Sequence, residues 1–313
     1  MRILALLAVV IMLPLIAAAQ DTERGARAYP PDMPGAKAIT YKTVKDTKLA
    51  LYVFNPEDWK PTDKRPAIVF FFGGGWTNGT PRQFLPQCQY LATRGMVAIA
   101  ADYRVASRNK VKAVDCVKDA KSAIRYVRKH AAELGVDPEK IAAAGGSAGG
   151  HLAAACGTIA RFDEPAEDAA ISSRPNAMLL FNPAVVLAPV AGIEADKDRQ
   201  ASFADRMGVD PRELSPYHHV TRGAPPTVIF HGKADRTVPY ATVVAFAKAM
   251  QDAGNTCELV GYDDQGHGFF NYGRGRNQMF TATLKEADRF LARLGYLKGE
   301  PTLEDPAPGV GEL

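Results

Sequence analysis

Ile141-Ala142-Ala143-Ala144-Gly145-Gly146-Ser147-Ala148-Gly149-Gly150-His151 is the stretch around which this 313-residue chain is organised. A short apolar run ends in glycine, and a run of small residues suited to a helix follows the serine. Gly145, Ser147 and Gly149 set the pattern Gly-x-Ser-x-Gly. That spacing suits a sharp strand-to-helix turn in which the serine sits in strained backbone with its hydroxyl raised. Gly146 and Ala148 are small enough to let chain and ligand approach closely. The helix start beyond Ser147 turns backbone N–H groups, and the positive end of a dipole, toward any negative charge formed there.

Upstream, Ala67 to Phe72 is a continuous apolar run, as expected of a strand buried on both faces of a parallel sheet. It stops at Gly73-Gly74-Gly75-Trp76. Met96 to Ala101 is a second such run, and Asp102-Tyr103-Arg104 follows it. Between them, residues 83–94 read as a helix. Residues 110–134 read as a long amphipathic helix, with Val114, Val117, Ala120, Ile124 and Val127 at three-to-four spacing. Asp119 lies on that helix and is expected to pair with Arg104 in a structural role. Earlier still, residues 39–54 alternate and read as an antiparallel hairpin turning near Lys45-Asp46-Thr47.

Downstream, Ala177 to Phe181, Thr227 to Phe230 and Glu258 to Tyr262 read as strands; 240–253 and 277–294 read as helices. Strands alternating with helices predict an α/β fold: a doubly wound, mostly parallel sheet with antiparallel N-terminal strands. Residues 183–226 are irregular and are expected to form a small insertion over the site. Ligands of such sheets bind outside the carboxyl ends of the strands. Gly73 to Trp76, Ser147, Asp235 and His267 all fall at such ends.

Residues 1–19 have a basic start at Arg2, an apolar stretch and a final Ala17-Ala18-Ala19. This reads as a secretory signal peptide, so a secreted or periplasmic protein is expected, with no membrane association once the leader is cleaved. Residues 20–37 read as a linker, 38–298 as one α/β domain and 299–313 as a disordered tail. Cys88, Cys116, Cys156 and Cys257 show no Cys-x-x-Cys pair, and their connectivity is left open. Net charge is +4 and dispersed, which argues against a nucleic-acid partner.

A serine hydroxyl is a poor nucleophile without a base in reach and an acid to hold that base. Among six histidines, His267 in Gln265-Gly266-His267-Gly268-Phe269 lies in a flexible loop after the last strand and suits the role of base. His151 is one helical turn below Ser147 and should point away. His231 ends a strand and suits a structural hydrogen bond. His218 and His219 lie in the insertion, and His130 on an exposed helix. Asp235, in His231-Gly232-Lys233-Ala234-Asp235, is the preferred acid; Asp263 and Asp264 are its rivals. Oxyanion donors are expected at the N–H groups of Gly74, Gly75 and Ala148. No pair of histidines has metal-ligand spacing, and no metal or cofactor is expected.

At these motifs the chain resembles the α/β-hydrolase superfamily, within the group of hormone-sensitive-lipase-like and carbohydrate esterases. The resemblance runs from about Tyr41 to Leu294. It rests on Phe72-Gly73-Gly74-Gly75-Trp76, Asp102-Tyr103-Arg104, the Ser147 motif, His231 to Asp235, and Gly266-His267-Gly268. It implies the α/β-hydrolase fold, Ser147 as nucleophile, Asp235 as acid, His267 as base, and Gly74, Gly75 and Ala148 as oxyanion donors. One position departs: the group usually has histidine before the three glycines, where this chain has Phe72, which puts the bracing of that loop in doubt. The Gly-Gly-Gly-Trp loop and the leader also resemble bacterial acetyl xylan and feruloyl esterases.

The expectation is therefore a secreted serine carboxylesterase acting on short acyl esters, whether small molecules or an acetylated plant polysaccharide such as xylan. The alternatives are a prolyl-oligopeptidase-like peptidase, disfavoured because Ala148 stands where an aromatic is usual, and a catalytically dead binding protein. Trp76 and Phe269 are expected to line a small acyl pocket.

Overall fold

The structure is a computed structural model that describes residues 29–193 and 197–305, with side chains from 201 onward in the second stretch. The expected leader and residues 20–28 lie outside the described residues. The fold set out here is that of the compact unit beginning at Met33.

Eight strands of the described residues form one sheet: β1 (Lys37–Val44), β2 (Thr47–Phe54), β3 (Arg65–Phe71), β4 (Val97–Ala101), β5 (Val136–Gly146), β6 (Ala177–Phe181), β7 (Thr227–Gly232) and β8 (Cys257–Tyr262). Their order is β1-β2-β4-β3-β5-β6-β7-β8. β1 and β2 pair antiparallel, as do β2 and β4; the remaining neighbours run parallel. The hairpin turns at Lys45, whose φ is +52°.

The described residues form six longer helices, α1 (Leu85–Thr93), α2 (Ala113–Lys129), α3 (Ala148–Thr158), α4 (Lys197–Met207), α5 (Tyr240–Asp252) and α6 (Gln278–Arg293), all but α4 packed on the sheet. From β3 the chain steps one way to β4 through α1, then returns past β3 to β5 through α2. Right-handed crossovers require that reversal of direction to switch faces. The core shows it: Leu91 of α1 packs with Ile68 and Phe70, whereas Val117 and Ile124 of α2 pack with Val69 and Phe71. Successive residues of β3 thus point to opposite faces, and both faces are buried, which is why this strand reads as an unbroken apolar run. The switch point lies between β3 and β5, the two strands that deliver the glycine loop and Ser147.

The Arg104–Asp119 pair forms as expected. Asp119 is fully buried and accepts Nε and Nη2 of Arg104 at 2.7 and 2.9 Å, and the Arg104 backbone N–H at 3.1 Å. Lys42 of β1 adds a second cation at 2.9 Å, so the cluster also ties the antiparallel edge to α2.

The insertion contains α4 and two short 3₁₀ turns, Pro211–Leu214 and Pro216–His219, anchored by the buried Met207 and Leu214. The tail expected from 299 onward begins as a docked segment. The Thr302 N–H donates to the Tyr90 hydroxyl at 3.1 Å, Leu303 packs against the core, and Asp305 pairs with Lys285 at 2.7 Å. Residues 306–313 lie outside the described residues. No helix among the described residues is long and apolar enough to cross a membrane.

Candidate active site

β5 ends at Gly146 and α3 begins at Ala148, leaving Ser147 alone at the corner with φ +54° and ψ −117°. Non-glycine residues at positive φ store about 1–3 kcal/mol of strain, tolerated where the surroundings fix them. Here the Ser147 N–H donates to Phe181 O on β6 at 2.9 Å. The glycines serve close packing: a Cβ on Gly149 would lie 1.9 Å from Phe71 O, and one on Gly145 2.4 Å from Gly149 O. The start of α3 is thereby pressed against β3 and β5, and the serine hydroxyl stands clear above them.

That hydroxyl oxygen lies 2.9 Å from His267 Nε2, and His267 Nδ1 lies 2.7 Å from Asp235 Oδ2. The chain places these three residues on separate strand ends, after β5, β7 and β8. The other oxygen of Asp235 accepts the N–H groups of Thr237 and Val238 at 2.8 and 2.9 Å. His231 Nε2 stands 3.3 Å from Asp235 Oδ2 and 2.8 Å from Val238 O, the structural position expected of it. Burial raises the Asp235 pKa, but hydrogen bonds from His231, His267 and the Val238 N–H outweigh it and hold the carboxyl well below its usual range. It is therefore a charged group, able to stabilise a proton on His267.

The rivals lie elsewhere. Asp263 and Asp264 are exposed, and Asp263 pairs with Lys233 at 2.8 Å. His151 is fully buried; its Nδ1 accepts the Trp76 indole N–H at 3.1 Å and its Nε2 donates to Leu214 O at 2.7 Å. Burial pushes its pKa down to about 4. His218 Nδ1 lies 2.9 Å from the Ser215 hydroxyl within the insertion, and His130 sits beside Glu133 at 3.1 Å.

The glycine loop follows β3. Gly74 has φ +124°, and a Cβ there would lie 2.2 Å from Asn78 O, so only glycine fits. Gly74 O accepts the N–H groups of Thr77 and Asn78 at 3.0 and 3.1 Å. The N–H groups of Gly74 and Gly75 meet no acceptor among the described residues, and both residues line the same cavity as Ser147. Ala148, directly after Ser147, opens α3 and contributes the first N–H of the helix.

Other residues supply the bracing that Phe72 leaves in doubt. The Phe72 ring stacks on Tyr103 at 4.0 Å, and the Tyr103 hydroxyl donates to Phe72 O at 2.7 Å. Gln83 Oε1 accepts the Gly73 N–H at 2.6 Å, while Gln83 Nε2 donates to Asn271 Oδ1 at 2.9 Å. Asn271 in turn donates to Gly268 O at 2.9 Å. Asn182, after β6, accepts the Gly268 N–H at 3.0 Å and donates its own N–H to Phe230 O at 2.7 Å. Gln83, Asn182 and Asn271 carry no motif in the sequence: each acts through a side-chain amide, and the Gln83–Asn271 and Asn182–Gly268 contacts join residues far apart in the chain.

The cavity at Ser147 measures about 500 Å³ and is walled by the glycine loop, Gln83, Asn182, Phe270 and Arg274. Two expectations for it are corrected. Trp76 does not line it. A φ of +60° turns this residue away, its ring meets His151 and Phe203 edge-on, and it faces a neighbouring cavity beside Lys112 and Arg206. Phe269 is likewise a core residue, buried and packed on Tyr262. Its neighbour Phe270 takes the wall, with its ring edge so close to the chain that a Cβ on Gly146 would lie 2.5 Å from it.

Comparison with known proteins gives the family. The BD-FAE family profile matches residues 51–250. The chain is 28% identical over 272 residues to "Esterase LipQ" of Mycobacterium tuberculosis, covering 82% of this chain and 63% of that protein. It is 27% identical over 283 residues to "Acetylxylan esterase" of Xylanibacter ruminicola, covering 87% of this chain and 52% of that one. The chain thus spans about half to two thirds of the length of these relatives. Among solved structures, Thermogutta terrifontis esterase 2 phosphonylated by sarin superposes with a TM-score of 0.85 at 55% identity, covering 87% of this chain and 100% of the other. Its propionate-bound form superposes at 0.83 with 56% identity, covering 87% and 99%.

Proposed function

The chain belongs to the BD-FAE family within the α/β-hydrolase superfamily, and from that premise we propose that it is a serine carboxylesterase cleaving short acyl esters through an acyl-enzyme intermediate. The observation that carries this reading is the continuous relay from Ser147 Oγ to His267 Nε2 at 2.9 Å and from His267 Nδ1 to Asp235 at 2.7 Å.

In this mechanism His267 takes the serine proton as Oγ attacks the ester carbonyl carbon. The imidazolium so formed is stabilised by the ionised Asp235. The carbonyl oxygen becomes an oxyanion facing the N–H groups of Gly74, Gly75 and Ala148. As the tetrahedral species collapses, the ester C–O bond breaks and His267 returns the proton to the departing alcohol. A water molecule, deprotonated by the same histidine, then releases the acid and restores Ser147.

The short-acyl preference is supported by Phe270, whose ring backs onto Phe181 and Phe84 at 4.9 and 5.9 Å and closes the cavity beside Gly146. The propionate held by esterase 2 of T. terrifontis agrees with it. Deacetylation of a polysaccharide such as xylan is supported by the likeness to the X. ruminicola acetylxylan esterase, and export by the leader pattern at 1–19.

Incubation with paraoxon, followed by peptide mass spectrometry, tests the nucleophile. A single diethylphosphoryl adduct on Ser147 with parallel loss of p-nitrophenyl acetate hydrolysis is expected. An active protein labelled elsewhere, or a Ser147→Ala variant keeping more than a tenth of the activity, would overturn the assignment. Release of acetate from acetylated xylan tests the polymer substrate separately.

A further inference from the structure

We propose that Arg274 is a specificity-determining residue, reading a carboxylate on the alcohol part of the ester; the inference rests on the esterase reading above. Among the described residues, and apart from the relay histidine, Arg274 is the one ionisable side chain on the wall of the Ser147 cavity, and no carboxylate lines that wall. Its guanidinium lies along Gly268, where a Cβ would meet Nη1 at 3.4 Å. Nη1 donates to His267 O at 3.2 Å. Among the described residues no carboxylate pairs with it.

The planar guanidinium fork suits two-point recognition of a carboxylate. Here one backbone acceptor uses one of its five donors, and the others remain for a ligand. A fixed positive charge serves neither a neutral acetyl group nor His267, which itself becomes positive as it takes the serine proton. It does serve a substrate that brings a negative charge. On the other bank of the glycine loop, Arg206 lies against Gly75, where a Cβ would stand 3.3 Å from Nη1, so a second guanidinium borders the same loop.

The charge belongs on the alcohol side rather than the acyl side. Phe270 and Asn182, both buried, close the interior of the cavity, whereas Arg274 is exposed at its mouth, where the departing alcohol must leave. The substrate class is therefore acyl esters of alcohols that carry a carboxylate nearby, such as an acylated acidic sugar or hydroxy acid.

Three matched acetates test this: 3-acetoxybenzoate, phenyl acetate and 3-acetoxyphenyl-trimethylammonium. The readout is the ratio of kcat/KM values among them, for the wild type, Arg274→Gln, Arg274→Lys and Arg274→Glu. The anionic-to-neutral ratio should fall about tenfold in Arg274→Gln, as expected for loss of one charge-assisted contact. Arg274→Lys should keep most of it, and Arg274→Glu should favour the cationic ester. In the wild type, 0.5 M salt should shrink the ratio. Turnover of all three with ratios unchanged by these substitutions overturns the proposal and leaves the esterase reading intact. No turnover of any of the three by the wild type overturns both.

Discussion

The side-chain amides of Gln83 and Asn271 meet at 2.9 Å although 188 positions separate them in the chain. Gln83 holds the Gly73 N–H at the start of the glycine loop, and Asn271 holds Gly268 O, one residue beyond His267. One amide–amide contact therefore joins the loop that would bind the oxyanion to the loop that carries the base. Both loops are glycine-rich, and this contact restrains one directly against the other.

Gln83→Leu should separate those loops. The substitution leaves the Gly73 N–H and Asn271 Oδ1 without partners, a loss of about 1–3 kcal/mol if neither finds water. We expect kcat on p-nitrophenyl acetate to fall by about 10- to 100-fold, the range for misplaced transition-state donors, with a smaller change in KM. An unchanged kcat would show that the glycine loop is held by Tyr103 and its own turn alone.

Asp235→Asn should lower kcat by about 10⁴, because an amide in place of the carboxylate disturbs the histidine tautomer and withdraws the charge that stabilises the imidazolium. Asp263→Asn and Asp264→Asn lie on exposed backbone and should change kcat by less than about twofold, as surface substitutions do. Steady-state kinetics of the three variants decides it; a large loss at Asp263 would transfer the role of acid.

His151 makes stability depend on pH. Its folded pKa is near 4, below the ordinary imidazole value of about 6.5, because burial disfavours the charged ring. A group depressed in this way favours the folded state fully above the unfolded value and loses that contribution as pH falls. Below about pH 6.5 the unfolded chain binds a proton that the folded chain refuses, until about pH 4. The contribution is on the order of 3 kcal/mol. Urea denaturation at pH 7.5 and 4.5 should show a smaller pH dependence in His151→Gln than in the wild type. Equal dependence in the two proteins would mean that another group carries the acid sensitivity.

How far the chain could be read in advance follows from what kind of signal each residue carries. β3, β4 and β6 announce themselves as apolar runs because both faces of each strand are covered. Ser147, Asp235 and His267 stand at strand ends, in short motifs whose glycines are forced by close backbone packing. Trp76 departs from its expected place because its neighbours in sequence say nothing about a φ of +60°, which sends the indole to His151 rather than into the cavity. Phe269 and Phe270 are adjacent and chemically alike, so only the curvature of the loop after His267 decides which one faces the cavity. β5 begins at Val136, well before the apolar run, a start hidden in the sequence where Asp137, Pro138 and Glu139 interrupt the hydrophobic pattern. Gln83 and Asn271 are surface-type residues in sequence and acquire their role only through tertiary approach.

In the proposed reading, that same loop curvature sets the acyl length. Phe270 is buried to 1% exposure, touches the elbow at Gly146 and is backed by Phe181 and Phe84, so the wall behind the acyl group cannot recede without repacking three rings. Each methylene of an acyl chain that finds no room forfeits about 0.8 kcal/mol of burial and adds overpacking strain. Acetyl and propionyl esters should therefore be turned over faster than octanoyl and longer ones, with a preference that steepens along the series. Trp76→Ala should not flatten it, since the indole lies outside the cavity; it should instead cost stability by emptying the space against His151 and Phe203. Phe270→Ala should flatten the series and move the optimum to longer chains, at a stability cost of about 3–5 kcal/mol for a buried phenylalanine. Phe270→Leu offers a milder opening if the alanine variant does not fold. The measurement is kcat/KM over p-nitrophenyl esters from two to twelve carbons for the wild type and each variant. A wild-type maximum at eight carbons or more, or a series that Trp76→Ala flattens and Phe270→Leu leaves unchanged, would place the acyl chain against a different wall.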